Sequence, residues 1–380
     1  MTPARAFSVA LVGVEGTIVE VEAAIGGGLP RMVIVGLADA ALTEARERCR
    51  AAVHAHGLGW PAQLVTVNLS PATLPKAGSH FDLAIVAAVE AADEKFDRAV
   101  LEHMVLFGEL GLDGRVRPVR GLLPALLAAV TAGFSTAVVP AAQLREAQLV
   151  EGLTLWGVND LPDLVAVLLG GPPKPAPEPA PSVGEEPAPV KDLSDVVGQL
   201  EAKWVIEVAA AGRHHLHLHG PPGVGKTLLA ERLPGILPDL DQAEALEVSA
   251  VHSLAGLPLD GGLIRRPPYA DPHHTASLAS IVGGGARIAQ PGAISRAHNG
   301  ILFLDEASNG KCTSFSKEVT DEDDYEPAWR ERAAGASDAG GGLPGVHSDG
   351  AGYAGRGHAG DLPVSAAVEV SQGQGGRDRA

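Results

Sequence analysis

Cysteine, aromatic residues and positive charge are all scarce in this 380-residue sequence, and each scarcity closes off a class of protein. Only Cys49 and Cys312 occur, too few and too far apart for a disulfide framework or a cysteine-built zinc site. Such usage fits a reducing compartment, so the expected location is cytoplasmic. Lys and Arg number 29 against 46 Asp and Glu, a net charge of −17. No global field therefore draws in nucleic acid, and contact with it would need a local patch or an assembled ring. No run reaches the ~18 apolar residues that a membrane-spanning helix needs, so no membrane contact is expected. The opening Met1 to Arg5 carries little charge and no long apolar core follows, so a secretory leader is not expected either. What remains is 46% hydrophobic residues, enough for a globular protein of two or three domains.

Hydrophobic patterning divides the chain into four regions. Residues 1–170 alternate strand-like and helix-like segments and read as a compact α/β domain. Arg31–Gly36, Leu64–Asn68, Met104–Phe107 and Thr136–Val139 read as strands. Ala38–His56, ended by Gly57, Phe81–Ala91 and Leu122–Thr131 read as helices. Residues 171–190 are so rich in proline that φ is fixed and donors are lost, which predicts an extended, semi-rigid linker. Residues 191–307 form a nucleotide-binding region. Residues 308–380 hold 14 glycines in 73 positions with almost no apolar periodicity, a composition that cannot bury enough surface to offset its chain entropy, so disorder is expected there.

The most informative stretch is Gly220-Pro221-Pro222-Gly223-Val224-Gly225-Lys226-Thr227, which fits G-x-x-x-x-G-K-S/T, the phosphate-binding loop of nucleoside triphosphatases. Its glycines let backbone N–H groups turn inward around the phosphates of ATP, and Lys226 adds a cation at the β and γ oxygens. Thr227 offers a hydroxyl to Mg²⁺ where a helix begins. Around it, His215–His219 alternates like a strand and Leu228–Arg232 reads as a helix. About eighty residues on, Gly300-Ile-Leu-Phe-Leu-Asp305-Glu306 is an apolar strand running into two carboxylates. Asp305 is placed to hold the Mg²⁺ and Glu306 to polarise an attacking water, with Lys226 the second catalytic group. Among the histidines, His214, His215, His217 and His219 cluster, yet no cysteine or nearby carboxylate completes a metal site. The bland reading, an interface-facing or partly exposed strand face, is preferred for them.

Beyond these motifs, an ordered series resembles the Mg-chelatase-like AAA ATPases of the YifB/ComM family over roughly residues 5–307. In the first region it comprises Gly28–Pro30, Val35–Leu37, Glu44–Arg48, Val67–Pro71, Leu74–Gly78, Phe81–Leu83 and Gly108–Gly114. In the second it comprises Asp192–Gln199, the phosphate loop, Pro272–Thr275, Gly283–Gly285, Pro291–Gly292 and His298–Glu306. The resemblance implies an N-terminal ribosomal-S5-like (Lon-protease-like) domain followed by a P-loop AAA domain with a parallel sheet. It also implies ATP with Mg²⁺, assembly with itself into a hexameric ring, and single-stranded or branched DNA as a partner, some members being linked to branch migration of DNA imported during transformation. Asp192–Asp195 matches the segment that packs over adenine in the family, though Asp195 as a helix cap explains it equally well.

The family's likeness to Lon raises a Ser–Lys protease as a second hypothesis. The position matching the nucleophile is His80, with Ser79 one place early, and the position matching the lysine is Ala125. Without that amine no base takes a hydroxyl proton, so proteolysis is not expected. After Ala307 the sequence departs from the family. It reads as truncated or frame-shifted, with an acidic run at Asp321–Asp324 and no match to the sensor or arginine-finger parts. The AAA domain is therefore expected to be incomplete and hydrolysis impaired, the alternative being a non-catalytic assembly protein that works through its N-terminal domain.

Overall fold

A computed structural model of the chain describes residues 3–36, 40–74, 76, 78–172, 191–221, 223–259, 261–273, 275–284 and 290–304. It is a mixed α/β structure whose central sheet is mostly parallel. Most of the proline-rich segment, Asp305 and Glu306, and all of residues 308–380 lie outside the described residues.

The first half opens on a long hairpin, β1 (Ala4–Val12) and β2 (Glu15–Gly26), paired from Ala4 opposite Ala23 to Val12 opposite Glu15. Next come β3 (Arg31–Val35), α1 (Ala40–Ala55), β4 (Leu64–Ser70) and α2 (Asp82–Ala92). After β5 (Met104–Leu106), a small ribbon of β6 (Glu109–Leu110) and β7 (Val116–Arg117) leads into α3 (Leu122–Thr131). Then follow β8 (Thr136–Pro140), α4 (Leu144–Ala147), β9 (Thr154–Val158) and α5 (Leu161–Leu168). Seven strands form one sheet in the order β3-β4-β2-β1-β5-β8-β9. Its pairs β3–β4, β1–β5, β5–β8 and β8–β9 are parallel, while β2 runs antiparallel to both neighbours.

Burial explains the layering. Helices α1, α2 and α5 share one apolar cluster with one face of the sheet, and α3 shares a second with the other face. Val138 enters the first cluster and Val139 the second, the alternation that a pleated strand imposes. Residues Asp82–Ala91 of α2 are all buried, and within them Leu83–Val89 is an unbroken apolar run.

Three elements are tied together by a buried carboxylate. Asp82, on α2, is fully enclosed and accepts two bonds from Arg48 of α1, from Nε at 2.9 Å and from Nη2 at 3.0 Å. It also accepts the Leu110 N–H of β6 at 3.1 Å. Burial pushes the Asp82 carboxyl up to about 6 against the pull of the Arg48 guanidinium. Nearby, the Ser79 hydroxyl donates to Glu109, and the His80 ring nitrogen Nε2 lies 2.9 Å from the Val9 carbonyl oxygen. Lys76 is enclosed and donates to the Pro71 carbonyl, and burial draws its ammonium below the ordinary lysine value. Ala125, where Lon-type enzymes carry their lysine, is buried in α3.

The second half consists of α6 (Leu200–Ala211), α7 (Lys226–Ala230), α8 (Leu233–Ile236), α9 (Gln242–Leu254), β10 (Tyr269–Ala270), α10 (Leu278–Val282), β11 (Gly283–Gly284), β12 (Gln290–Pro291), α11 (Ala293–Arg296) and β13 (Ile301–Leu302). Met1–Pro272 and Ala276–Phe303 cluster in one compact unit. Within it α9 lies against α3, and Ala250 and Leu259 enter the same apolar cluster as Leu122 and Leu126. A buried polar network crosses that junction: Ser253 Oγ donates to Glu146 at 2.5 Å and accepts the Leu123 N–H at 3.2 Å, while Gln143 donates to the other Glu146 oxygen at 2.9 Å. The second unit, His273–Thr275 with Leu304–Pro363, is described only at His273, Thr275 and Leu304. There His273 Nδ1 lies 2.7 Å from the Thr275 hydroxyl.

Two sequence expectations for the second half are corrected. His215–His219 forms no named strand among the described residues and keeps only a single bridge position at His217. The helix expected over Leu228–Arg232 instead spans Lys226–Ala230, and a new helix starts at Leu233 with Pro234 in its first turn. Proline supplies no N–H to continue the earlier ladder but is well placed where a helix begins.

Candidate nucleotide-binding site

The phosphate loop is shaped by its glycines. Gly223 and Gly225 adopt φ of +82° and +96°, the left-handed region where a side chain is strained. A Cβ at Gly225 would also come within 3.1 Å of Gln199 Nε2. This turn delivers the chain directly into α7. Lys226 folds back across the loop, its ammonium donating to the Gly220 carbonyl at 2.8 Å and the Pro221 carbonyl at 3.2 Å. The cation is thus held by carbonyls at the start of the loop. Gly223 and Thr227 are solvent-exposed, and Lys226 is half-buried. Pro222 lies outside the described residues.

Beneath the loop, Leu229 of α7 is buried with Leu193, Val196, Ile206, Leu216 and Ile301. Ile301 belongs to β13, four positions before Asp305, so one apolar cluster anchors both the loop helix and the strand that leads to the two carboxylates. β13 runs parallel to β10. The pairing continues as the Phe303 N–H donates to the Ala270 carbonyl at 2.8 Å, and the Tyr269 and Phe303 rings stack at 6.3 Å. Asp305 and Glu306 themselves fall outside the described residues.

Close approach at the start of β13 admits no side chain. A Cβ on Gly300 would stand 2.2 Å from the Pro268 carbonyl oxygen, which is backbone and cannot swing aside. Gly300→Ala is expected to destabilise the fold by roughly 1–3 kcal/mol, the usual cost of overpacking. Urea unfolding would register it as a lower midpoint with an unchanged slope, and an unchanged midpoint would count against this packing.

Two residues that the motifs did not single out hold the loop in place. Gln199, itself at φ +50°, donates from Nε2 to the Val224 carbonyl at 2.8 Å, spanning the loop's far side. Arg232 is largely buried and donates to the Asp192 carbonyl at 3.1 Å and the Leu228 carbonyl at 2.8 Å. Its guanidinium also stands 3.6 Å from the Asp195 carboxylate. The Asp192–Gln199 stretch is therefore tied to the loop at Gln199 and, through Arg232, to the end of the helix that follows the loop at Asp192. Asp192 is the capping residue of the short 3₁₀ turn Leu193–Asp195, and Asp195 returns a bond to the Asp192 N–H. The Ser194 hydrogen bonds hold the Asp192 carboxyl below its ordinary value. Asp195, read from sequence as a cap, is thus the reciprocal partner of one. The available signal was the Asp192–Gln199 match itself, which marked the segment without showing what it grips.

Among the described residues, no group of three His, Cys, Asp or Glu side chains is positioned to hold a metal ion. Partial desolvation, with the neighbouring His219, draws the His217 imidazole below its ordinary value, although the side chain is exposed. No helix among the described residues is long and apolar enough to cross a membrane.

Comparison with known proteins finds a family match in each half of the chain. Residues 192–321 match a family described as magnesium chelatase, subunit ChlI, and residues 21–143 match one described as subunit ChlI of Mg-chelatase. The chain is 53% identical over 319 residues to an uncharacterized protein of Mycobacterium tuberculosis, covering 81% of this chain and 61% of the relative. It is 42% identical over 297 residues to the uncharacterized protein YifB of Escherichia coli, covering 78% and 58%. To the competence protein ComM of Haemophilus influenzae it is 38% identical over 312 residues, covering 80% and 60%. The chain spans about three fifths of the length of these curated relatives.

Proposed function

This chain belongs to the YifB/ComM family of Mg-chelatase-like proteins, and on that footing we propose that it binds Mg·ATP through Gly220–Thr227 as part of a DNA-remodelling ATPase. The observation that carries the reading is the loop geometry: two glycines at positive φ and the Lys226 ammonium drawn over the loop mouth. Lys226 supplies positive charge toward the β and γ phosphates, and the loop N–H groups supply neutral donors. Thr227, exposed in the first turn of α7, holds the metal together with Asp305, and Glu306 orients water. Mg²⁺ held by Thr227 and Asp305 would supply neutralising charge to the phosphates. Similarity to a competence protein supports DNA as the partner in this reading, and the family resemblance supports ring assembly.

Hydrolysis by this chain is proposed to be slow. Stabilising charge on the transferred phosphoryl group by an arginine is worth about 10³–10⁵ in kcat in related GTPases. In residues 308–380, Arg330 and Arg332 match no family motif for that role. Radiolabelled ATP and the purified chain test this: binding with little phosphate release is expected. Robust release that Lys226→Ala abolishes would contradict the slow-turnover part while leaving the binding part intact.

A further inference from the structure

A groove of about 340 Å³ lies on the first half of the chain, away from the phosphate loop, where β3 and β4 begin and the second half of α1 passes over them. Arg31, Arg46, Arg50 and His54 line it together with Trp60 and a single carboxylate, Glu47. Arg46, Arg50 and His54 stand four residues apart along α1 and so share one face of that helix. Arg31 begins β3, the edge strand of the sheet. Glu47 is paired with Arg46 at 3.0 Å, whereas among the described residues Arg31, Arg50 and His54 make no ion pair. The Trp60 indole is half-buried, packed on the core beside the groove. In a chain of net charge −17, three guanidiniums and an imidazole lining one groove with an indole are a local reversal of sign.

We propose that this groove holds one nucleotide step of a single-stranded nucleic acid, its phosphate among Arg31, Arg46 and Arg50 and its base on the Trp60 ring. Guanidiniums match phosphate oxygens with paired N–H donors. An indole gives an unpaired base a stacking surface, the combination that sequence-tolerant single-strand binders use. The volume suits one nucleotide unit. A duplex offers no free base face to Trp60, and an acidic peptide makes no use of the indole. The proposal deepens the nucleic-acid part of the reading above and does not depend on its nucleotide part.

The test is fluorescence anisotropy of the full chain with a labelled thymidine oligonucleotide of about twenty nucleotides, from about 50 to 200 mM salt. The paired change Arg46→Ala with Arg50→Ala alters exposed side chains on a helix surface and is expected to weaken binding at least tenfold. It should also make the salt dependence shallower by up to about 0.7 in log–log slope, the contribution of the one single-strand phosphate that is no longer neutralised. Trp60→Leu is expected to weaken binding by roughly five- to a hundredfold through lost stacking, with the salt slope unchanged. Mg·ATP binding, measured on the same variants, should stay at the parent value, so failure of the groove and failure of the phosphate loop are distinguishable. Parent-like oligonucleotide binding by both variants would overturn the proposal. So would equal binding of duplex, displacement by poly-glutamate as effective as by unlabelled oligonucleotide, or a free thymidine nucleotide that binds as tightly as the strand.

Discussion

Lys226→Ala is expected to weaken Mg·ATP binding by about 10- to 150-fold. The ammonium is the one full positive charge that the motif brings to the β and γ phosphates, and hydrogen bonds from charged donors contribute about 1.5–3 kcal/mol. In the structure this cation already spans the loop, donating to the Gly220 and Pro221 carbonyls, so its reach toward a bound phosphate needs no rearrangement of α7. Those two carbonyls are at the surface and can turn to water, so the variant should keep nearly the parent's unfolding midpoint. The measurement is thermal unfolding with and without Mg·ATP. At a ligand concentration near 100 Kd the parent gains about 2.7 kcal/mol, and at the same concentration the variant should gain about half of that or less. Equal stabilisation of the two proteins would remove Lys226 from the site.

Asp82→Ala should cost about 3–5 kcal/mol of folding stability, the usual penalty for stripping one partner from a buried ion pair. Arg48, only 17% exposed along its side chain, would lose both short bonds to a carboxylate, and the Leu110 N–H would lose its acceptor. Since total stabilities run to roughly 5–15 kcal/mol, this single change should bring the chain close to unfolding at 37 °C. Asp82→Asn, which keeps an acceptor for Leu110, should cost less. The pH dependence has a definite sign. Burial raises the folded-state pKa of Asp82 to about 6 from the ordinary 3.8, so the native state binds the proton more tightly than the unfolded chain. Stability from this group is greatest at acid pH and is lost as pH rises from about 4 through 6. Urea midpoints of the parent should carry that downward slope, and Asp82→Asn should remove it. A midpoint that instead climbs through this window by the same amount in both proteins would contradict the assignment.

The sequence carried the helices and strands whose pattern is set by local periodicity and by a nearby stop. Leu122–Thr131 is helical over the predicted residues. The expected helix before Gly57 ends at Ala55, with Gly57 itself at φ +67°. The phosphate-loop motif was legible because its chemistry lies in eight consecutive residues. What could not be read is what depends on partners far along the chain. The alternation of His215–His219 resembles a strand, and the bridge position at His217 is what the structure describes of it. Gln199 reaches the loop across 25 residues and Arg232 reaches Asp192 across 40, both by side chains bonding to backbone carbonyls, which leave no mark in composition. The Glu146–Ser253 bond spans 107 residues and joins two regions that composition alone sets apart. Arg48 and Asp82 were both in segments that resembled the family, yet their mutual bond became visible only once α1 and α2 were packed together.

Calorimetric titration of Mg·ATP into the full chain addresses the central claim most directly. Saturable uptake of one nucleotide per chain is predicted, and chelating Mg²⁺ should weaken it sharply. A folded protein that takes up no Mg·ATP would contradict the assignment of Gly220–Thr227 as a phosphate cradle.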